Sequence, residues 1–242
     1  MNSRLIFSIV ILIIVILSIS MFYIVSDSTD IKDFTYTTTI DTKKYDTIIK
    51  KGIAKWAEIG VNGKHIYFRS IFNNKDKETI AKASGNTIYI FQNVFDNLST
   101  DKERIITITH EVGHVLGIGL WSSSDVLTEN GIGYLNPLKY PETSKAYIDH
   151  YRPNDINLPG PPIEVSGGSG TSGVHWENDP KYGLYKSIMC GTIYVNSDLI
   201  TIVDLAYLKE TGVKVENIDK GKKHTLFYKI RDHIVRDKKI ND

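Results

Sequence analysis

The chain has a single cysteine, Cys190, among 242 residues. One thiol forms no intrachain disulfide, so a disulfide-stapled scaffold is excluded, as is a Cys-rich zinc site. An excess of one charge is missing too. The 29 Lys and Arg nearly cancel the 28 Asp and Glu, leaving a formal net charge of +1, which argues against nucleic acid as a partner. Only seven histidines are present, so any metal must be held by a few imidazoles and by carboxylates. The composition, 41% hydrophobic and 24% charged, is globular and excludes a disordered or collagen-like chain.

One block lacks charge altogether: Leu5 to Val25, LIFSIVILIIVILSISMFYIV, 21 residues long. As a helix it spans about 31 Å, matching a hydrocarbon core of about 30 Å. Its β-branched residues form helices poorly in water, but in lipid the backbone has no other hydrogen-bonding scheme. Arg4 precedes the block, and Asp27, Asp30 and Asp33 follow it. The positive-inside rule therefore sets the N-terminus in the cytoplasm and the rest of the chain on the extracytoplasmic side. The expectation is an uncleaved single-pass anchor over residues 1–25. The alternative, a signal peptide cut near Ser18-Ile19-Ser20 to release a secreted protein, leaves apolar MFYIV at the new N-terminus. Asn97-Leu98-Ser99 is an N-glycosylation sequon consistent with the far side of a membrane.

The remaining residues, about 217, suit one ordinary domain or two small ones. Residues 34–40 alternate and are β-rich, predicting a strand. Thr42 to Gly60 carries Ile48, Ile49, Ile53, Trp56 and Ile59 at helical spacing. His65 to Phe72 and Thr87 to Phe91 read as further strands. Thr100-Asp101-Lys102-Glu103 is a capping box. The helix it opens has Ile105, Ile108, Val112, Val115 and Leu116 on one stripe, with Gly117 placed to stop it. This mixture predicts an α+β layer. From Leu120 to Val174 the character changes. Pro137, Pro141, Pro153, Pro159, Pro161 and Pro162 fall here, and Gly167 to Gly173 closes the stretch. It reads as long and mostly irregular, a kind of segment that is usually functional. Leu199 to Glu210 has a helical pattern ending at Gly212. In the basic tail, Leu226, Phe227, Ile230 and Ile234 form a stripe that packs on the domain or on a membrane surface.

Chemistry concentrates in His110-Glu111-Val112-Gly113-His114, an HExxH pattern on the capped helix. Histidines at i and i+4 project from one face and can both reach an ion at about 2.0–2.1 Å. Glu111 is too near His110 to be a natural third ligand, but it can reach a water on that ion. Two imidazoles do not complete a catalytic zinc site, which needs a third ligand and an open fourth position. Gly117 and Gly119 turn the chain sharply, which suits a third ligand arriving from a later loop. The continued pattern HExxHxxGxxH would place a histidine at 120, where Leu120 stands. His150 and His175 remain as candidates; His65, His224 and His233 sit in a strand and the tail, where packing or surface roles are commoner.

HEVGHVLGIGLW (His110 to Trp121), the long insertion, GTSGVHWEND (Gly170 to Asp179), SIMCG (Ser187 to Gly191) and LITIVDLAYLKETGV after it resemble the leishmanolysin family of metzincin zinc peptidases. The resemblance covers roughly residues 85–215 and touches 34–84 only in general pattern. It implies one catalytic Zn²⁺ held by His110, His114 and His175, the third histidine being displaced by the insertion. It also implies Met189 as the Met-turn beneath the metal. The implied fold is a metzincin-like zincin domain: a twisted β-sheet with the active-site helix, then an irregular C-terminal subdomain with Met-turn and helix. The disulfides typical of the family have no counterpart here. No cysteine precedes the HExxH helix, so the family's cysteine-based latency is not expected either.

The chain then divides into an anchor (1–25), a zinc metallopeptidase domain (26–215) and a basic tail (216–242). The expected activity is zinc-dependent endopeptidase action on a protein or peptide substrate, with Glu111 as general base. The strand Thr87–Phe91 is expected to offer its edge to the extended substrate, and Gly167–Gly173 to let His175 swing to the metal. Tyr194 is a candidate stabiliser of the oxyanion, and Cys190 reads as a small buried hydrophobe. The rival readings are a non-catalytic zinc-containing peptide-binding module tethered to the membrane, and a structural membrane protein.

Overall fold

Strand alternation and helical periodicity meet in one layered unit, seen in a computed structural model that describes residues 31, 33–72, 79–154, 156–166, 171–191 and 198–221. The strands β1 (Thr35–Thr38), β2 (His65–Ile71), β3 (Ala81–Ser84) and β4 (Thr87–Phe91) form a sheet in the order β1-β2-β4-β3. The first three in that order run parallel, and β3 is an antiparallel edge. Period-two alternation sends Tyr36, Ile66, Phe68, Ile88 and Ile90 to one buried face. Helices α1 (Asp46–Glu58) and α2 (Asp101–Leu116) share the core with that face.

The two helices meet where α1 has no side chain. A Cβ on Gly52 would stand 2.5 Å from Ile108 Cγ2, so glycine sets the closeness of the crossing. Trp56 locks it by donating its indole N–H to Thr109 O at 2.8 Å. At the start of α2, Glu103 N–H donates to Thr100 Oγ1 at 3.2 Å and Thr100 N–H to Glu103 Oε2 at 2.9 Å, closing the capping box. At its end Gly117 takes φ +126°, a backbone state that L side chains avoid.

Two sequence expectations change. Strand β4 is an interior strand, paired with β2 on one side and β3 on the other, so it has no free edge. The edge belongs to β3, whose Ala-Lys-Ala-Ser has little β-propensity and so escapes a propensity reading. Nor is the stretch 120–174 mostly irregular. It holds the antiparallel sheet β5 (Val126–Glu129), β6 (Ile132–Leu135) and β7 (Pro162–Ile163), and helix α3 (Pro141–His150). Asn130 and Gly131 both have positive φ, 52° and 78°, the two-residue turn that matches hairpin twist. Pro141 sits at the first helical position, where no N–H is needed.

Helix α4 (Ile202–Glu210) starts at a second capping box, Thr201 with Asp204. Its last residue, Glu210, accepts from the N–H groups of Glu142 (2.7 Å) and Thr143 (2.9 Å), so a carboxylate of α4 caps α3. The chain then returns to the first sheet's side, with Asn62 N–H donating to Lys214 O at 2.9 Å and Val61 bridging Val215. The expected anchor Leu5–Val25, residues 167–170, Tyr194, His224, His233 and the tail stripe lie outside the described residues. Among the described residues no helix is long and apolar enough to cross a membrane.

Candidate metal centre

Three imidazoles from two distant parts of the chain converge. His110 and His114 come from consecutive turns of α2, and His175 from the loop that follows the second sheet. Their Nε2 atoms form a nearly equilateral triangle: 3.0 Å between His110 and His114, and 3.1 Å from His175 to each. Among the described residues these three are the group of His, Cys, Asp or Glu side chains placed to hold a metal ion. His150, the other candidate, ends α3 and lies outside the cluster. His65 is bonded to Thr35 (2.7 Å) and Thr37 (3.1 Å) on the sheet.

Each ring is oriented by its other nitrogen. The Nδ1 atoms of His110, His114 and His175 lie 2.6, 2.8 and 3.0 Å from the carbonyl oxygens of Ile188, Ile118 and Thr171. A carbonyl only accepts, so the proton resides on Nδ1 in all three rings. In the neutral form every Nε2 then presents a bare lone pair to the other two. Three lone pairs at this separation repel unless a cation lies among them, which is the donor set of a metal site. Burial keeps the rings neutral. It pushes His110 well below the usual histidine range, with help from His114 and His175. Burial likewise brings His114 down to about 4 and lowers His175.

The local backbone explains the convergence. A Cβ on Gly119 (φ +87°) would lie 2.3 Å from Val174 O and 3.0 Å from His114 Nδ1, so only glycine lets this turn run against the His175 loop. Trp176 bridges Ile163 on one side and Cys190 on the other, which inserts the His175 segment between β7 and the Met189 segment. Trp121 stacks on Trp176 with centroids 4.9 Å apart and donates its indole N–H to Gly173 O. Met189, fully buried, lies under Gly113 between the two α2 histidines.

Glu111 is buried beside the triangle, and burial pushes its carboxyl up to about 7 against the pull of an Ala83 N–H bond and the Lys82 charge. Ala83 belongs to the edge strand β3, so the sheet's edge and the carboxylate are joined directly. Two groups escaped the sequence reading. Glu164 is buried, its N–H donating to His175 O at 3.0 Å, and burial followed by Glu177 raises its carboxyl to about 7. Asp204 is fully buried under the Met189 segment; a signal for it existed in the Thr-x-x-Asp pattern that opens α4.

The fold and site thus define an α+β protein with a three-histidine cluster able to hold a metal ion. No protein-family model matches the chain. The chain is similar to a protein described as a leishmanolysin homolog from Crithidia fasciculata, 28% identical over 134 residues. The match covers 50% of this chain and 20% of that protein, so the chain spans a small part of its relative's length.

Proposed function

We propose that the protein is a zinc-dependent endopeptidase of the leishmanolysin-like, metzincin type. The observation that carries this reading is the triangle of Nε2 atoms at 3.0–3.1 Å, each freed of its proton by a carbonyl behind it. The partial likeness to a leishmanolysin homolog supports it. His110, His114 and His175 would hold the ion. Bound there, zinc supplies Lewis acidity toward a water and a peptide carbonyl.

The chain's own groups supply the rest. Glu111 takes a proton at its carboxylate from the attacking water and returns it to the leaving nitrogen. Burial raises its carboxyl and the charge of a bound cation draws it lower, two opposed effects on the one proton it carries. Ala83 N–H holds the carboxylate's orientation. The side of β3 that faces away from β4 offers backbone N–H and C=O groups to an extended peptide, which would lie as an added strand beside Glu111. Leu5–Val25 tethers this domain on the extracytoplasmic side of a membrane, a reading supported by its 21 uncharged residues.

The test is hydrolysis of a casein-type substrate by the full chain, with and without chelator, beside Glu111→Gln. Chelator should abolish cleavage and zinc restore it. Glu111→Gln should keep one zinc per chain while kcat/KM falls about 10²–10⁴-fold. A chain that binds zinc yet leaves peptide bonds intact is a binding module, and that result overturns the proposal.

A further inference from the structure

We propose that Asp204 is a positioning residue of the metal centre, fixing from helix α4 the segments that carry His175 and orient His110. The inference rests on the three-histidine cluster being a metal site. Asp204 is fully buried, and its helix neighbours Val203, Leu205 and Ala206 are buried apolar residues. Among such neighbours a carboxylate is costly to desolvate unless donors meet both of its oxygens.

The carboxylate is surrounded by donors. Its Oδ1 accepts Trp176 Nε1–H at 2.7 Å and lies 3.2 Å from Ser187 Oγ. Its Oδ2 accepts Thr201 N–H and Thr201 Oγ1–H, both at 2.7 Å, and lies 3.1 Å from Ser187 Oγ. Capping α4 uses Oδ2 alone. The other oxygen and the serine contact reach out of the helix.

Both outward arms end at a ligand. Trp176 directly follows His175, and its own N–H donates to Met189 O at 3.1 Å. Holding the indole holds the backbone from which the third imidazole projects. Ser187 Oγ accepts Met189 N–H at 3.0 Å, which sets the turn containing Ile188. The Ile188 carbonyl, in turn, receives Nδ1–H of His110 at 2.6 Å. One carboxylate thus ties together the carbonyl that fixes the His110 tautomer and the residue adjoining His175. His114, oriented by Ile118 O, is outside this network.

The experiment uses the full chain and its variants Asp204→Asn, Trp176→Phe, Ser187→Ala and Thr201→Ala. Zinc affinity is read by competition with a chromophoric chelator, ligand geometry by the visible spectrum of the Co²⁺ form, and folding by circular dichroism. Asp204→Asn should remain folded, bind zinc about 10–100-fold more weakly and show an altered cobalt spectrum. Trp176→Phe, which removes one donor to the carboxylate, and Ser187→Ala, which removes a donor to it and the acceptor of Met189 N–H, should move the same readouts by smaller steps. Thr201→Ala, which removes a cap and a donor to Oδ2 but leaves the Trp176 and Ser187 arms in place, should lower the unfolding midpoint and move the cobalt spectrum less than either of those variants. If Asp204→Asn does not fold, the Trp176 and Ser187 variants decide. Zinc affinity within twofold of the parent and an unchanged cobalt spectrum in the folded variants overturn the proposal. A parent chain that binds no zinc is a different result, and it removes the metal-centre reading together with this one.

Discussion

Gly113 lies directly over Met189: a Cβ on residue 113 would stand 2.3 Å from the methionine sulfur and 3.0 Å from Trp56 Cζ2. The absent side chain between the two α2 histidines is thus what admits a sulfur floor beneath them. Gly113→Ala gains helix propensity worth about 1 kcal/mol, yet it forces an atom into a fully buried contact, which costs about 1–3 kcal/mol. The clash should win, because Met189 and Trp56 are both fully buried. Denaturant unfolding should show a net loss in the single variant. Adding Met189→Ala should restore part of it, so that the double variant loses less than the sum. Strict additivity would refute the contact.

Much of this architecture was legible because it is written in local chemistry. The Thr100–Glu103 box, the α2 stripe and the HExxH spacing are short-range signals, and the first sheet's β1, β2 and β4 follow from alternation. What was illegible depends on partners far along the chain. Ala81–Ser84 becomes a strand only because β4 offers it hydrogen bonds, and no propensity announces that. The segment after Leu120 reads as irregular while its prolines count as breakers, yet Pro141 starts a helix and Asn130-Gly131 is a hairpin turn. The place of His175 came from resemblance, since its 61-residue separation from His114 leaves no local trace. The role of Asp204 needed the fold outright.

The Asn130-Gly131 turn can be tested cleanly. Gly131 has φ +78° and no atom within 4 Å of a would-be Cβ, so a substitution there meets only backbone strain. Gly131→Ala should cost about 1–2 kcal/mol, seen as a lowered unfolding midpoint, with zinc affinity unchanged. A neutral effect would mean that the hairpin turn adopts another form.

Stability should also fall in acid through Asp125. The Lys139 ammonium at 2.9 Å, then the N–H of Ser122 at 2.6 Å, hold its carboxyl down from 3.8 to about 2. A folded-state pKa below the unfolded one gives stability that is complete above about pH 4 and is lost as pH falls toward 2. In unfolding midpoints measured from pH 6 to 2, Asp125→Asn should be less stable than the parent at pH 6 and converge on it near pH 2. Parallel curves would exclude the ion pair as a source of stability.

Metal removal should separate the folded scaffold from its ligand. A ligand that binds only the native state stabilises it by mass action, about 2.7 kcal/mol at a free concentration 100 times Kd. The parent chain should therefore melt at a higher temperature with zinc than with chelator, the difference growing with zinc concentration. His175→Ala leaves two imidazoles on one helix face and an empty third corner, so its melting temperature should be nearly independent of zinc. The apo forms offer a second contrast. Removing His175 also removes one of three lone pairs forced within 3.1 Å of one another, so the chelated variant should lose little stability despite the vacated space. If zinc stabilised His175→Ala as strongly as the parent, the third ligand would have to be sought elsewhere on the chain.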